Sequence, residues 1–252
     1  QRIVTHPPNA VRQRVAAIAQ SRGDYLLLLD DDVVLERDCV EQLLAYLQTD
    51  PEPVAVMANL NNSPWPGPTR AWRLYLRHVL RLQERAWQGQ VVGPLLRFGY
   101  SEPVNGPSPM QWLGTCQAMV RRSAYDRAGG FSDFFLHRST INEDVDLGIK
   151  LARLGPIMLC PAARLAHNQA AGGRVTTVAA AEDDLYNRFM IMHRTQGRSA
   201  LAALGQVAVF AAVETSSNVI GALLRRETGG VSARLWGRVR ALARAVASAL
   251  AA

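Results

Sequence analysis

The sequence predicts an α/β fold, a mixed sheet flanked by helices with a helical C-terminal appendage, and three observations carry that expectation. Up to about residue 160, short apolar runs alternate with amphipathic stretches, the order of a layered α/β domain. Tyr25-Leu26-Leu27-Leu28-Leu29 is apolar without interruption, as suits a central strand of a parallel sheet buried on both faces. From about Ala179 onward only helical periodicity remains. The expected division is a sheet-bearing domain over residues 1–178 and a helical region over 179–252.

Residues 2–5 read as a short strand ended by His6-Pro7-Pro8, and residues 11–20 as a helix with Val11, Val15 and Ile18 on one face. Gly23 stops that helix before the Tyr25 run begins. A helix is expected over 39–47, a strand over 54–58, and an Asn- and Pro-rich loop over 59–69. Residues 71–87 read as a helix with a basic face, followed by a Gly- and Pro-rich passage to Pro109. A strand over 112–120, a short helix over 123–128 and a Gly129-Gly130 turn come next. Residues 143–154 form a helix with Leu147, Leu151 and Leu154 on its apolar face, closed by Gly155-Pro156. Residues 157–160 read as a last short strand.

A chain of 252 residues with 48% hydrophobic composition buries a sizeable core, which excludes general disorder. Its charge of +7 comes from 28 basic and 21 acidic residues, and Lys150 is the only lysine. A basic surface suits a phosphate-bearing ligand, a nucleic acid or an anionic membrane alike. No RNA-binding strand pattern, zinc finger or basic zipper is present, so no nucleic-acid partner is expected, and no Gly-x-x-x-x-Gly-Lys-Ser/Thr loop points to nucleoside triphosphate hydrolysis. Cys39, Cys116 and Cys160 are odd in number and widely spaced, which fits a reducing, cytoplasmic setting. The opening residues lack a starting Met and the apolar core of a secretory signal, and the chain is expected to begin partway through a longer protein.

Asp30-Asp31-Asp32 ends the Tyr25 run. In an extended chain the side chains of Asp30 and Asp32 point one way and Asp31 the other, so the outer two are placed to share a hard cation such as Mg²⁺ or Mn²⁺. A solvated turn or a cap for the following helix explains the triplet equally well. Position adds to the first reading, because ligands of open α/β sheets bind beyond the carboxyl ends of strands. Asn142-Glu143-Asp144-Val145-Asp146 opens a helix, where acidic residues are favoured by the dipole alone. The same place suits a general base, and the aromatic pair Phe134-Phe135 is positioned to wall a pocket.

In order and spacing, Gly23-Asp24-Tyr25 through Asp32, Trp112-Leu113-Gly114-Thr115 through Arg121-Arg122, Gly129-Gly130-Phe131, Glu143-Asp144-Val145-Asp146-Leu147 and Pro161 to His167 closely resemble glycosyltransferase family 2. The resemblance covers roughly residues 1–195 and implies a GT-A-type, Rossmann-like fold. It further implies inverting, metal-assisted transfer of a hexose or deoxyhexose from a nucleotide-sugar donor to the hydroxyl of a saccharide or lipid-linked acceptor, as in cell-envelope polysaccharide synthesis. By resemblance Asp30 and Asp32 form the Asp-x-Asp motif, joined by His167, that holds the divalent ion on the donor diphosphate. Asp144 is the implied base and Glu143 orients the acceptor, while Arg14, Asp31, Gly114 and Thr115 bind substrate. Around Arg14 the chain reads Gln13-Arg14-Val15-Ala16-Ala17-Ile18, without the family's usual Asn and Gly. The family's first strand and helix have no counterpart before Gln1, so the alternatives of an inactive fragment or a non-catalytic, degenerate binding module stand beside the enzyme. With no Gln-x-x-Arg-Trp motif, single transfer rather than processive synthesis is implied, and Asp184-Leu185-Tyr186-Asn187-Arg188 resembles an Arg-bearing helix of non-processive members.

In the appendage, Ala200 to Leu224 is apolar, though Gln206, Glu214 and Asn218 interrupt it. On a wheel of about 100° per residue, Leu235, Val239, Leu242, Val246 and Leu250 share one side, and Arg234, Arg238, Arg240 and Arg244 the other. The pattern fits peripheral contact with an anionic membrane, and equally packing against the rest of the chain.

Overall fold

The computed structural model describes residues 9–62, 67–83, 85–100, 102–137, 139–168, 177–225 and 230–250. The strand expected over residues 2–5 lies outside them. The chain forms two compact units, one of Gln1–Gly67, Trp87–Val91 and Arg97–Ala171, the other of Pro68–Ala86, Val92–Leu96 and Gly172–Ala252.

In the first unit, helix α1 (Ala10–Gln20) starts where the Asn9 side chain accepts a hydrogen bond from the Arg12 amide. The strands are β1 (Tyr25–Leu29), β2 (Val33–Leu35), β3 (Ala55–Leu60), then β6 (Ser108–Met110), β7 (Gln117–Arg121) and β8 (Ile157–His167); the two-residue β4 (Val91–Val92) and β5 (Leu96–Arg97), which pair with each other, each have one residue in either unit. The main sheet runs β1-β7-β3-β8-β2, with β6 also on β8. It is mixed, as expected. Only β3 and β8 pair in parallel, and the other ladders are antiparallel. Helices α2 (Cys39–Thr49), α4 (Arg122–Arg127) and α5 (Glu143–Ala152) belong to this unit. Cys39, Leu43 and Leu47 of α2 pack on Val56, Ala58 and Leu165 of the sheet to make the core.

Several expectations need correction. β1 is not central: it ends the strand order among the described residues, and its burial alternates, with Leu26 and Leu28 buried and Leu27 36% exposed. An unbroken apolar run does not distinguish a two-faced strand from an edge strand whose second face fronts a groove, here one of about 270 Å³ lined by Ala17, Ile18 and β1. The last strand is much longer than residues 157–160. Pro161 falls where the register against β3 jumps from Cys160 to Arg164, so the residues between form a bulge and the strand runs on to His167. The strand expected over 112–120 begins only at Gln117. The short strands β2 and β6 carry too few residues for any periodicity.

The second unit holds α3 (Arg70–Leu74), which passes into a π-helical turn, Tyr75–Val79. The single helix expected over 71–87 is therefore broken, and Arg81 and Arg85 take left-handed φ values of 54° and 71°, incompatible with a continuing right-handed helix. The unit is completed by α6 (Thr177–Met190), a π-helical turn Ile191–Thr195, α7 (Ala200–Arg225) and α8 (Val231–Leu250). The Arg188 guanidinium lies 4.0 Å from the Phe210 ring centroid and donates to the carbonyls of Pro94 and Leu95, so this arginine holds the helical unit together.

Candidate functional site

At the carboxyl end of β1 the first unit brings together Asp30, Asp32 and His167. The turn after that strand carries Asp30 to Asp32, and the far end of β8 pairs with β2, Val33 opposite His167. His167 Nε2 thereby reaches 3.0 Å from Asp32 Oδ1 and 4.0 Å from Asp30 Oδ2. One ligand atom from each of Asp30, Asp32 and His167 lies within 4.8 Å of the others. Two carboxylates and an imidazole in that arrangement match the donor set of a divalent cation, with an oxygen majority that suits Mn²⁺ or Mg²⁺. Asp31 is exposed in the turn and lies outside the three-residue cluster.

Arg14, on the face of α1, links this cluster to α5. One guanidinium nitrogen pairs with Asp30 Oδ1, and the other is 2.9 Å from Glu143 Oε1. A groove of about 360 Å³ lined by Gln13, Arg14, Leu29, Asp30 and Asp31 lies beside the pair. The missing Asn and Gly around Arg14 have not displaced its side chain from the acidic cluster. Thr115 Oγ1 donates to the same Glu143 oxygen at 3.2 Å. Glu143 is thus held by two donors and is not merely a helix cap. Burial and the neighbouring Asp144 carboxylate push its pKa up to about 7, with Arg14 pulling the other way.

Close main-chain packing sets the position of α5. A Cβ on Gly148 would stand 2.6 Å from Trp112 Cα and from the Leu113 nitrogen, so only glycine lets the helix sit this close to the segment bearing Gly114 and Thr115. Asn142 takes the left-handed conformation, φ 71°, immediately before the helix and makes no side-chain cap bond. Asp146 is fully buried against Ser132 and Lys150, 2.7 and 3.3 Å away, and ties the helix to the turn after Gly130. Phe135 is buried and accepts, through its carbonyl, a hydrogen bond from Asn9, so it anchors α1.

Asp144 has a partner that no local pattern signals. Arg97 Nη1 lies 2.8 and 3.0 Å from its two carboxylate oxygens, and the same guanidinium stands 5.7 Å from the Trp112 ring centroid. Arg97 sits in the Gly- and Pro-rich passage, which has no periodicity to read. Gly114 is buried, and a Cβ there would press on Gln117 and Met57 at 3.2 and 3.4 Å, so packing already requires a small residue. Cys116, between Thr115 and β7, has its thiol pKa pushed up to about 12 by burial and by Asp30 and Asp144, and stays protonated. All three cysteines are free thiols.

A family profile described as Glycosyl transferase family 2 matches residues 2–127, half of the chain. No curated protein matches the chain, whereas 70 chains of solved structures do. One of these, GalNAc-T7 with UDP, GalNAc and Mn²⁺, is similar at 13% identity and a TM-score of 0.48 over 73% of this chain. Another, the mannosyltransferase PcManGT from Pyrobaculum calidifontis with GDP-Man and Mn²⁺, is similar at 17% identity and a TM-score of 0.45 over 98% of this chain. The chain spans 34% of the GalNAc-T7 chain and 68% of the mannosyltransferase chain.

Proposed function

The chain belongs to glycosyl transferase family 2, and on that premise we propose that it moves a sugar, with inversion, from a nucleoside-diphosphate donor to an acceptor hydroxyl on a saccharide or lipid-linked saccharide. The observation that carries this reading is the convergence of Asp30, Asp32 and His167 on one point, with Arg14 joining that point to the helix that bears Asp144. The donor set favours Mn²⁺ over Mg²⁺, because magnesium binds oxygen almost exclusively and one ligand here is an imidazole. When bound, such an ion supplies charge neutralisation to the departing diphosphate. The roles of Asp31, Gly114 and Thr115 follow from the same reading, as lining for the donor.

Asp144 takes the proton of the acceptor hydroxyl as its oxygen bonds to the anomeric carbon, and the nucleoside diphosphate leaves with the electron pair of the old carbon–oxygen bond. Arg97 holds the Asp144 carboxylate in one orientation until an acceptor arrives. Arg14 holds Asp30 and Glu143 together so that the donor and acceptor sides of the site share one frame. Free thiols agree with a reducing, cytoplasmic workplace.

A second reading, a module that binds the donor without turning it over, is favoured by Arg97, which engages both oxygens of the proposed base. Calorimetry with UDP- and GDP-sugars tests the common premise: uptake is expected with Mn²⁺ and not with EDTA, and absence of uptake under both conditions refutes both readings. If binding occurs, turnover with a hydroxyl acceptor separates enzyme from module.

A further inference from the structure

Helix α8 is built inside out. Its arginines pair with the acidic residues of the helical unit: Arg238 is buried near Glu214 and donates to Thr215 at 3.0 Å, Arg244 lies 3.4 Å from Glu182 and stacks 3.7 Å from the Tyr186 ring centroid, and Arg240, at the exposed margin, lies 2.9 Å from the same Glu182 carboxylate. Gly237 fixes this orientation, since a Cβ there would lie 2.3 Å from the Val178 carbonyl oxygen of α6. The apolar stripe is consequently turned outward, with Trp236 57% and Leu250 84% exposed. Periodicity alone allowed the opposite orientation.

Helix α7 repeats the arrangement. Its only charged residue before Arg225, Glu214, points inward and accepts a 2.6 Å hydrogen bond from the Trp72 indole. Its outer surface carries Ile220, Leu223 and Leu224, the last two 72% and 80% exposed. Over Ala200–Leu224 the mean hydropathy reaches 1.6 while only 22% is buried, unlike the core helix of a water-soluble domain.

We propose that the outward faces of α7 and α8 dock on a lipid bilayer, one side of each helix in hydrocarbon and the other on the ion pairs of its own unit. Three observations select lipid over a second copy of the chain. The outer face of α7 offers no charged group to a protein partner along 25 residues, whereas protein interfaces have a polar rim. Trp236 exposes an amphipathic ring of the kind enriched at the boundary between headgroups and hydrocarbon. Arg70, Arg73 and Arg77 of the same unit are exposed at helical spacing with no acidic residue between them, complementary to anionic headgroups.

Flotation of the chain with phosphatidylcholine vesicles, with and without phosphatidylglycerol, tests this independently of any sugar transfer. The wild type is expected to rise with the vesicles, more so with the anionic lipid. The Leu223→Glu, Trp236→Glu, Val239→Glu triple variant is expected to lose roughly tenfold or more of that recovery with an unchanged circular dichroism spectrum, because all three side chains are exposed. Trp236→Phe serves as a conservative second variant: brominated lipid should quench wild-type fluorescence more than that of Trp236→Phe. Wild type that stays with the soluble fraction, a triple variant that floats equally well, equal quenching, or a wild-type dimer that the triple variant dissociates without vesicle binding would each overturn the proposal.

Discussion

Charge is handled in opposite ways at the acidic site of the first unit and in the long helices of the second. At the site, Asp30, Asp32, Glu143 and Asp144 meet two guanidinium groups, Arg14 and Arg97, and one imidazole, His167. Among the helices, Glu182, Asp183, Asp184 and Glu214 meet four, Arg188, Arg238, Arg240 and Arg244. The second set is balanced within the unit, whereas the first retains excess negative charge that favours a cation. Balance within a network, more than the number of charged residues, separates side chains that hold a fold from those that hold a ligand.

The comparison breaks most visibly at Asp144. Replacing it with Asn is expected to lower transfer by roughly a hundredfold to ten-thousandfold while donor uptake and melting temperature hold; steady-state rates and calorimetry read both. A collapse in melting temperature would put Asp144 among the residues that hold the fold. A paired measurement sharpens the contrast in stability. Asp32→Asn should change metal-free stability by less than about 1 kcal/mol but abolish the melting shift produced by Mn²⁺, whereas Glu182→Gln, which strips Arg240 and Arg244 of a carboxylate, should cost about 1–3 kcal/mol with or without metal. Urea denaturation in EDTA and in Mn²⁺ checks both.

The smallest effect concerns Glu143. With a folded pKa raised to about 7 from 4.5, it keeps a proton that the unfolded chain releases, so its contribution to stability is full at acid pH and declines as pH rises through that window. Glu143→Gln should flatten that decline, worth on the order of 1 kcal/mol, in melts at stepped pH. A slope unchanged by the substitution would show that Glu143 titrates normally.

Much of this was legible in residue order. The α/β class followed from alternating patterns, and the singled-out residues Asp30, Asp32, Glu143 and Arg14 lie close together, Arg14 pairing with both Asp30 and Glu143, a contact that the residue order did not disclose. His167 was named without a visible means of reaching the cluster, because Pro161 hid the bulge that lets β8 continue. Arg97 was missed for a different reason: its contact with Asp144 spans 47 positions and has no local periodic counterpart. In α8 the separation of arginines from leucines was plain, but a helical wheel reports that two faces differ, not which one the neighbouring helix takes. That choice was made by Gly237 and by the acidic residues of α6, which exist as partners only in three dimensions.

The contact at Gly148 has an evolutionary corollary. Because backbone against backbone locates the middle of α5, the two carboxylates at its start take their place from the helix as a whole more than from the surrounding side chains. Under the proposed function, substitutions at the rim leave Glu143 and Asp144 in register, while a single methyl group at residue 148 would shift the helix that bears them. Directed evolution of selectivity should therefore leave this glycine alone and spend its diversity on the residues around it.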